Sequence, residues 1–104
     1  MTPRFTLRLE RQGGLAGIPM RAVVSGSELH EDEAAQLWAL VDPDALASAT
    51  RASAAAADPT RPDSMTYRLV VETPDSRDEY LFGEGAVGPQ LRPLVERLEQ
   101  ALSF

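Results

Sequence analysis

Apolar and polar positions alternate at the start of the chain, Phe5, Leu7 and Leu9 against Thr6, Arg8 and Glu10. A period of two predicts a strand with one face on a core and the other in solvent. After a glycine-rich interruption the alternation resumes. Ile18, Met20, Ala22 and Val24 face one way, against Pro19, Arg21 and Ser25, with Val23 the one apolar exception. The two segments read as an antiparallel hairpin with a longer, glycine-assisted loop. Pro19 has no N–H to give a ladder, which places it at an edge or just outside the pairing.

The period then changes. Ala34, Leu37, Trp38 and Val41 share one face at helical spacing. Glu31, Asp32 and Glu33 crowd the first turn, where the helix dipole favours negative charge. His30 stands at the N-cap position, and Asp42-Pro43-Asp44 ends the helix. Residues 45–63, ALASATRASAAAADPTRPD, show no apolar stripe and close on Pro59 and Pro62. The expectation here is a loose, mobile connection with at most a helical turn.

Alternation returns with Met65, Tyr67, Leu69 and Val71 against Thr66, Arg68 and Glu72, and Val70 is expected on the outer face. The polar turn Thr73-Pro74-Asp75-Ser76-Arg77 leads into a strand from Glu79 to Phe82, a second hairpin. Leu91, Leu94, Val95, Leu98 and Leu102 form the clearest helical stripe in the chain, with Pro89 and Pro93 in or before its first turn. The predicted order is β-β-α-β-β-α. This is an α+β fold in a single small domain, an antiparallel four-stranded sheet with two helices on one face.

Length and composition narrow the function. A chain of 104 residues buries about two thirds of its unfolded surface, enough for one packed core. With no cysteine, disulfides, thiolate zinc sites and cysteine nucleophiles are excluded. A net charge of −6 repels phosphate backbones and argues against a nucleic-acid partner. The segment MTPRFTLRLERQ has no long apolar run, so neither a signal peptide nor a membrane span is expected. The expected location is the cytoplasm, with signal-free export left open.

Few motifs survive scrutiny. Gly83-Glu84-Gly85-Ala86-Val87-Gly88 is literally G-x-G-x-x-G between a strand and a helix. A dinucleotide site also needs a second parallel strand and an acidic residue about twenty positions on, and too little chain follows. The run reads as a strand-to-helix turn. Gly13-Gly14-Leu15-Ala16-Gly17 lacks the Lys-Ser/Thr of a phosphate loop. His30 is the sole histidine, so any triad or histidine metal site would rest on it alone; a capping or surface role fits its acidic surroundings. Asp42-Pro43-Asp44 lacks the spacing of a calcium loop. Trp38 reads as core. No nucleophile, base and orienting group come together, and neither an enzyme activity nor a metal or cofactor is expected.

Leu15 is the anomaly. An aliphatic side chain at a glycine-rich tip either folds back on the core or is presented to a partner, and the flanking glycines permit close approach of another surface. Here the residues resemble a known family. "LERQGGLAGIP" (9–19) is similar to the N-terminal signature of the emfourin-type protealysin inhibitors: a strand, a charged pair, Gly-Gly, an aromatic or aliphatic residue, Ala-Gly, then Ile or a similar residue. Gly13, Gly14, Leu15, Ala16, Gly17 and Ile18 match it in order. "LHEDEAAQLWALV", "DSMTYRLVVE" and "GPQLRPLVERL" resemble the first helix, third strand and proline-led last helix of that family. His30 departs from the Ser or Thr expected at the first cap, and the alanine-rich connection is unmatched.

The resemblance implies reversible, stoichiometric inhibition of a thermolysin-like zinc metalloprotease by occlusion of its cleft. Gly13 to Ile18 would form the protease-binding segment, with Leu15 in an apolar subsite. Arg61, Asp63, Asp75 and Arg77 are polar candidates for a rim. Without cysteine and with a single histidine, strong zinc chelation is hard to build, and steric blockade fits better. A hairpin-tip inhibitor of this kind can act as a monomer. The competing class is a small acidic interaction module, a secretion chaperone or regulatory subunit, that inhibits nothing; such modules are usually dimers with a broad apolar groove.

Overall fold

The computed structural model describes residues 4–13, 19–55 and 65–102. Strand β1 (Thr6–Gln12) is followed by β2 (Met20–Ser25), α1 (Glu31–Leu40), α2 (Pro43–Ala55), β3 (Thr66–Glu72), β4 (Arg77–Gly83) and α3 (Arg92–Glu99). Short 3-10 turns at Gly26–Glu28 and Glu84–Ala86 lead towards α1 and α3. Among the described residues the strands form one antiparallel sheet in the order β2-β1-β3-β4. The expected α+β architecture and both hairpins are present.

The period-2 pattern determines which face is buried. Register pairs Leu7 with Val24 and Val71, and Leu9 with Ala22 and Leu69. Tyr67 and Phe82 continue this inner face, ring centroids 5.7 Å apart. Ala34 and Leu37 of α1 and Leu94, Val95 and Leu98 of α3 pack against it. Trp38 stacks on Phe5 at 5.0 Å and is part of the packing, as its neighbours suggested.

The alanine-rich connection differs from expectation. Residues 43–55 form a thirteen-residue helix, the third of the fold; residues 56–64 lie outside those described. The Asp-Pro-Asp sequence does end α1, but it also starts α2. Asp42 Oδ1 accepts the N–H groups of Asp44 and Ala45, both at 3.1 Å. This is an N-cap, and Pro43 occupies the first turn, where a missing N–H costs nothing. The stripe that seemed missing is Leu46 and Ala49, both buried. Small residues read as featureless, yet they let α2 lie close on β4, where Ser53 Oγ accepts the Gly83 N–H at 2.8 Å.

Among the described residues no helix covers the outer face of the sheet. It carries Arg8, Glu10, Arg21, Arg68, Glu72 and Glu79, with Arg8–Glu72 at 2.8 Å and Arg68 paired to both Glu79 and Glu10. Val70 lies on this face as expected but is only 2% exposed, flanked across the strands by Arg8 and Glu79. The aliphatic stems of charged residues can shield an apolar neighbour in this way. The hydrogen bond from Arg68 holds the Glu79 carboxyl below the usual carboxylate range. A carboxyl lowered on folding contributes stability above its unfolded pKa and loses it as pH falls through the folded one. Exposure makes this a small contribution.

If α2 is part of the core, Leu46→Ala lowers unfolding free energy by about 2–5 kcal/mol in denaturant titration, as a buried leucine does. Val23→Thr, at a position 54% exposed, stays within about 0.5 kcal/mol of the parent.

Candidate functional site

The glycine-rich bend is built from its stem outward. β1 and β2 pair from Thr6↔Ser25 to Arg11↔Met20, the last cross-strand pair before the bend. β1 runs one residue further, and Gln12 still pairs with Thr66 of β3. Gly13 then turns the chain with φ at 102°, a conformation that disfavours any residue with a Cβ. Gly14, Leu15, Ala16, Gly17 and Ile18 lie outside the described residues. Pro19 re-enters exposed and outside the ladder, as its missing N–H demands.

Continuing the alternation past Leu9 puts Arg11 on the inner face. Its Nη1 donates to Glu99 Oε2 at 2.9 Å, at the end of α3, and its Nη2 meets Met20 Sδ at 3.0 Å. The Tyr67 hydroxyl donates to the other Glu99 oxygen at 3.4 Å. Burial raises the Tyr67 pKa, and the negative charges of Glu99 and Glu84 raise it further. The guanidinium therefore ties the foot of the bend to β2 and α3, and Tyr67 of β3 joins this group through Glu99. The glycine motif carries no trace of these residues, and their one sequence signal is an arginine in register with Leu7 and Leu9.

The ladder also decides what shares this end of the molecule. Gln12, Thr66 and Gly83 form one cross-strand row, so the start of β3 and the Gly83–Gly88 turn lie beside the stem. That glycine run works as a turn. Glu84 N–H donates to Met65 O at 2.9 Å, and Gly83, Gly85 and Gly88 all avoid the left-handed region. A Cβ on Gly85 would meet nothing within 4 Å.

Asp75 and Arg77 sit at the opposite end. Arg77 pairs with Glu72, which pairs with Thr6, about 20 Å along the strands from the bend at 3.3 Å per residue. The structure does not bring these two rim candidates to the bend. Arg61 and Asp63 lie outside the described residues. His30, the N-cap of α1, and its acidic neighbours follow the end of β2, again away from the bend. His30 makes no side-chain capping bond.

Among the described residues no three His, Asp or Glu side chains are grouped to hold a metal, and no helix is long and apolar enough to cross a membrane. A groove of about 430 Å³ between α2 and the turn before α3 is lined mainly by small residues such as Ala45, Ala49 and Ala52. Of its carboxylates, Asp42 is already engaged in capping.

Against this geometry, residues 9–99 match the Emfourin family. The chain belongs to the emfourin family. The match begins at Leu9, so it takes in the whole Gly13–Ile18 segment, and it ends at Glu99, the residue that holds Arg11. No curated protein and no solved structure matches the chain significantly. Emfourins are an inhibitor family, and membership points to a protealysin-inhibitor-like role with a protease as partner.

The two glycine runs make opposite demands in this emfourin. Gly13→Ala places a Cβ in a left-handed backbone and lowers stability by about 1–2 kcal/mol. Gly85→Ala leaves the denaturation midpoint unchanged within about 0.5 kcal/mol.

Proposed function

We propose that this emfourin inhibits a thermolysin-like zinc metalloprotease by steric occlusion of the active-site cleft, with the segment Gly13–Ile18 entering and Leu15 filling an apolar subsite. The observation that carries the reading is the family match, whose bounds, residues 9–99, take in that segment. Its setting agrees. The bend leaves the ladder at an exposed glycine with positive φ and returns at an exposed proline, at an end of the sheet also occupied by the exposed Gln12, Thr66 and Glu84.

The blockade uses no zinc ligand. His30 is remote from the bend, and Glu10 and Glu99 at its stem are engaged by arginines, Glu10 by Arg68 at 3.4 Å and Glu99 by Arg11 at 2.9 Å. A desolvated aliphatic anchor supplies about 2 kcal/mol or more of binding, which is about thirtyfold in affinity. The rim is drawn from the residues beside the bend, and Arg61 and Asp63 remain candidates for it. Asp75 and Arg77 have no part in that rim. The inhibitor acts as a monomer in the cytoplasm.

The test is a titration of purified protein against a thermolysin-like protease, following cleavage of a peptide substrate. Stoichiometric inhibition is expected. Leu15→Asp weakens it about thirtyfold or more, and His30→Ala changes it less than about twofold. A wild-type protein that sediments as a dimer and leaves cleavage untouched would support the interaction-module class instead. Full inhibition by Leu15→Asp would remove that residue from the site.

A further inference from the structure

We infer that the corner after β4, formed by Leu81, Glu84 and Gly85, is a second contact of this inhibitor with its protease. The rim of the cleft places an apolar group against Leu81 and a cation or N–H donor on Glu84, and Gly85 lets the two surfaces meet at the backbone. This deepens the proposed inhibition and rests on the reading that the bend end of the sheet faces the protease.

The corner holds three features that the fold does not use. Gly13 takes a positive φ, and Gly26 is buried in the turn before α1. Gly85 has neither reason. It is exposed, its φ lies outside the left-handed region, and a Cβ there would meet nothing within 4 Å. A glycine in such a place enlarges the freedom of the unfolded chain, so alanine would serve the fold better. What glycine alone provides is bare backbone that another molecule can approach closely. Glu84 is exposed, and among the described residues its carboxylate has no hydrogen bond or ion pair. Glu10 and Glu99, at the same end, are held by Arg68 at 3.4 Å and Arg11 at 2.9 Å. Leu81 is 52% exposed and lies opposite Arg68, whose guanidinium is drawn to Glu79 and Glu10. The next outward position on β4 is Gly83, so no side chain of that strand shields Leu81 from the bend side. One exposed leucine is ordinary. Beside a glycine with no structural purpose and a carboxylate with no partner, it completes a surface made for contact.

The corner is also held in place. Glu84 N–H donates to Met65 O at 2.9 Å, Val87 N–H to Glu84 O at 3.2 Å and Gly83 N–H to Ser53 Oγ at 2.8 Å. A partner therefore meets a preformed surface and loses little to ordering.

Position determines the occupant. Gln12, Thr66 and Gly83 stand in one cross-strand row, so the corner begins about 10 Å from the end of β1, two strand spacings away. A specific protein interface covers about 800 Å² on each partner, a disc of about 16 Å radius. A protease seated on the bend end therefore reaches Leu81, Glu84 and Gly85 as well. A cation on its rim gains Glu84 without breaking an existing ion pair.

The test uses the full chain and a thermolysin-like protease, with binding measured by calorimetry beside inhibition of peptide cleavage. Gly85→Trp is expected to keep the wild-type denaturation midpoint, because the space around it is open, and to weaken binding and inhibition about thirtyfold or more. Glu84→Arg weakens both about fivefold, chiefly through slower association. Asp75→Trp, in the turn at the far end of the sheet, binds as wild type does. Gly85→Trp that binds and inhibits like wild type would overturn the inference and leave the inhibitor reading intact. So would an equal loss in Asp75→Trp. Where Gly85→Trp does not fold, Glu84→Arg and Leu81→Asp decide, and unchanged binding in both would overturn it. Full inhibition by Leu15→Asp together with a loss in Gly85→Trp removes Leu15 and keeps the corner. A wild-type protein that does not bind the protease ends both readings.

Discussion

The antiparallel pairing of β1 with β3 is the constraint on which the remaining structure depends. Leu9 lies opposite Leu69 and Leu7 opposite Val71, and this register puts both strands' apolar residues on one face. A slip by one residue would turn Leu7 and Leu9 into solvent and carry Arg8 and Glu10 into the core. Since β1 and β3 are the two central strands, their alignment sets that of β2 and β4 as well. It therefore also decides that Gln12, Thr66 and Gly83 stand in one row, and that the glycine bend, the entry to β3 and the turn after β4 share one end of the sheet.

Charge is distributed differently on the two faces. Outside, arginines and carboxylates form an exposed lattice over Val70, with Arg68 between Glu10 and Glu79. Such pairs contribute little individually, but they keep an uncovered sheet face polar and discourage association through it. Inside, one cation interrupts an apolar series, where it connects three elements around the foot of the bend.

Much of the fold was legible because alternation and helical spacing are local signals. Phe5-Leu7-Leu9, Tyr67-Leu69-Val71 and Leu91-Leu94-Val95-Leu98 each declare their buried face without reference to anything distant. The α2 segment was not legible for the complementary reason. Its stripe is Leu46 followed by Ala49, which carries little hydrophobic signal, and its start lies in an Asp-Pro that equally marks a helix end. Alanine becomes a core residue only where a sheet comes close enough to bury it. In the candidate site, the six-residue motif was visible in the sequence, whereas its support was not. Glu99 is far from Arg11 in the chain, and only the packing of α3 brings the two together.

The sequence by itself thus determined the types of the elements other than α2, the buried faces of β1, β2 and β3, the exclusion of cysteine chemistry and the family-like glycine segment. These depend on side-chain type and short-range spacing, which any linear reading retains. Tertiary structure alone decided that α2 is a packed helix, that Asp75 and Arg77 stand at the far end from the bend, and that Arg11, Met20, Tyr67 and Glu99 meet at its foot. Strand order and register generate such juxtapositions, and they arise from the mutual burial of segments distant in the chain.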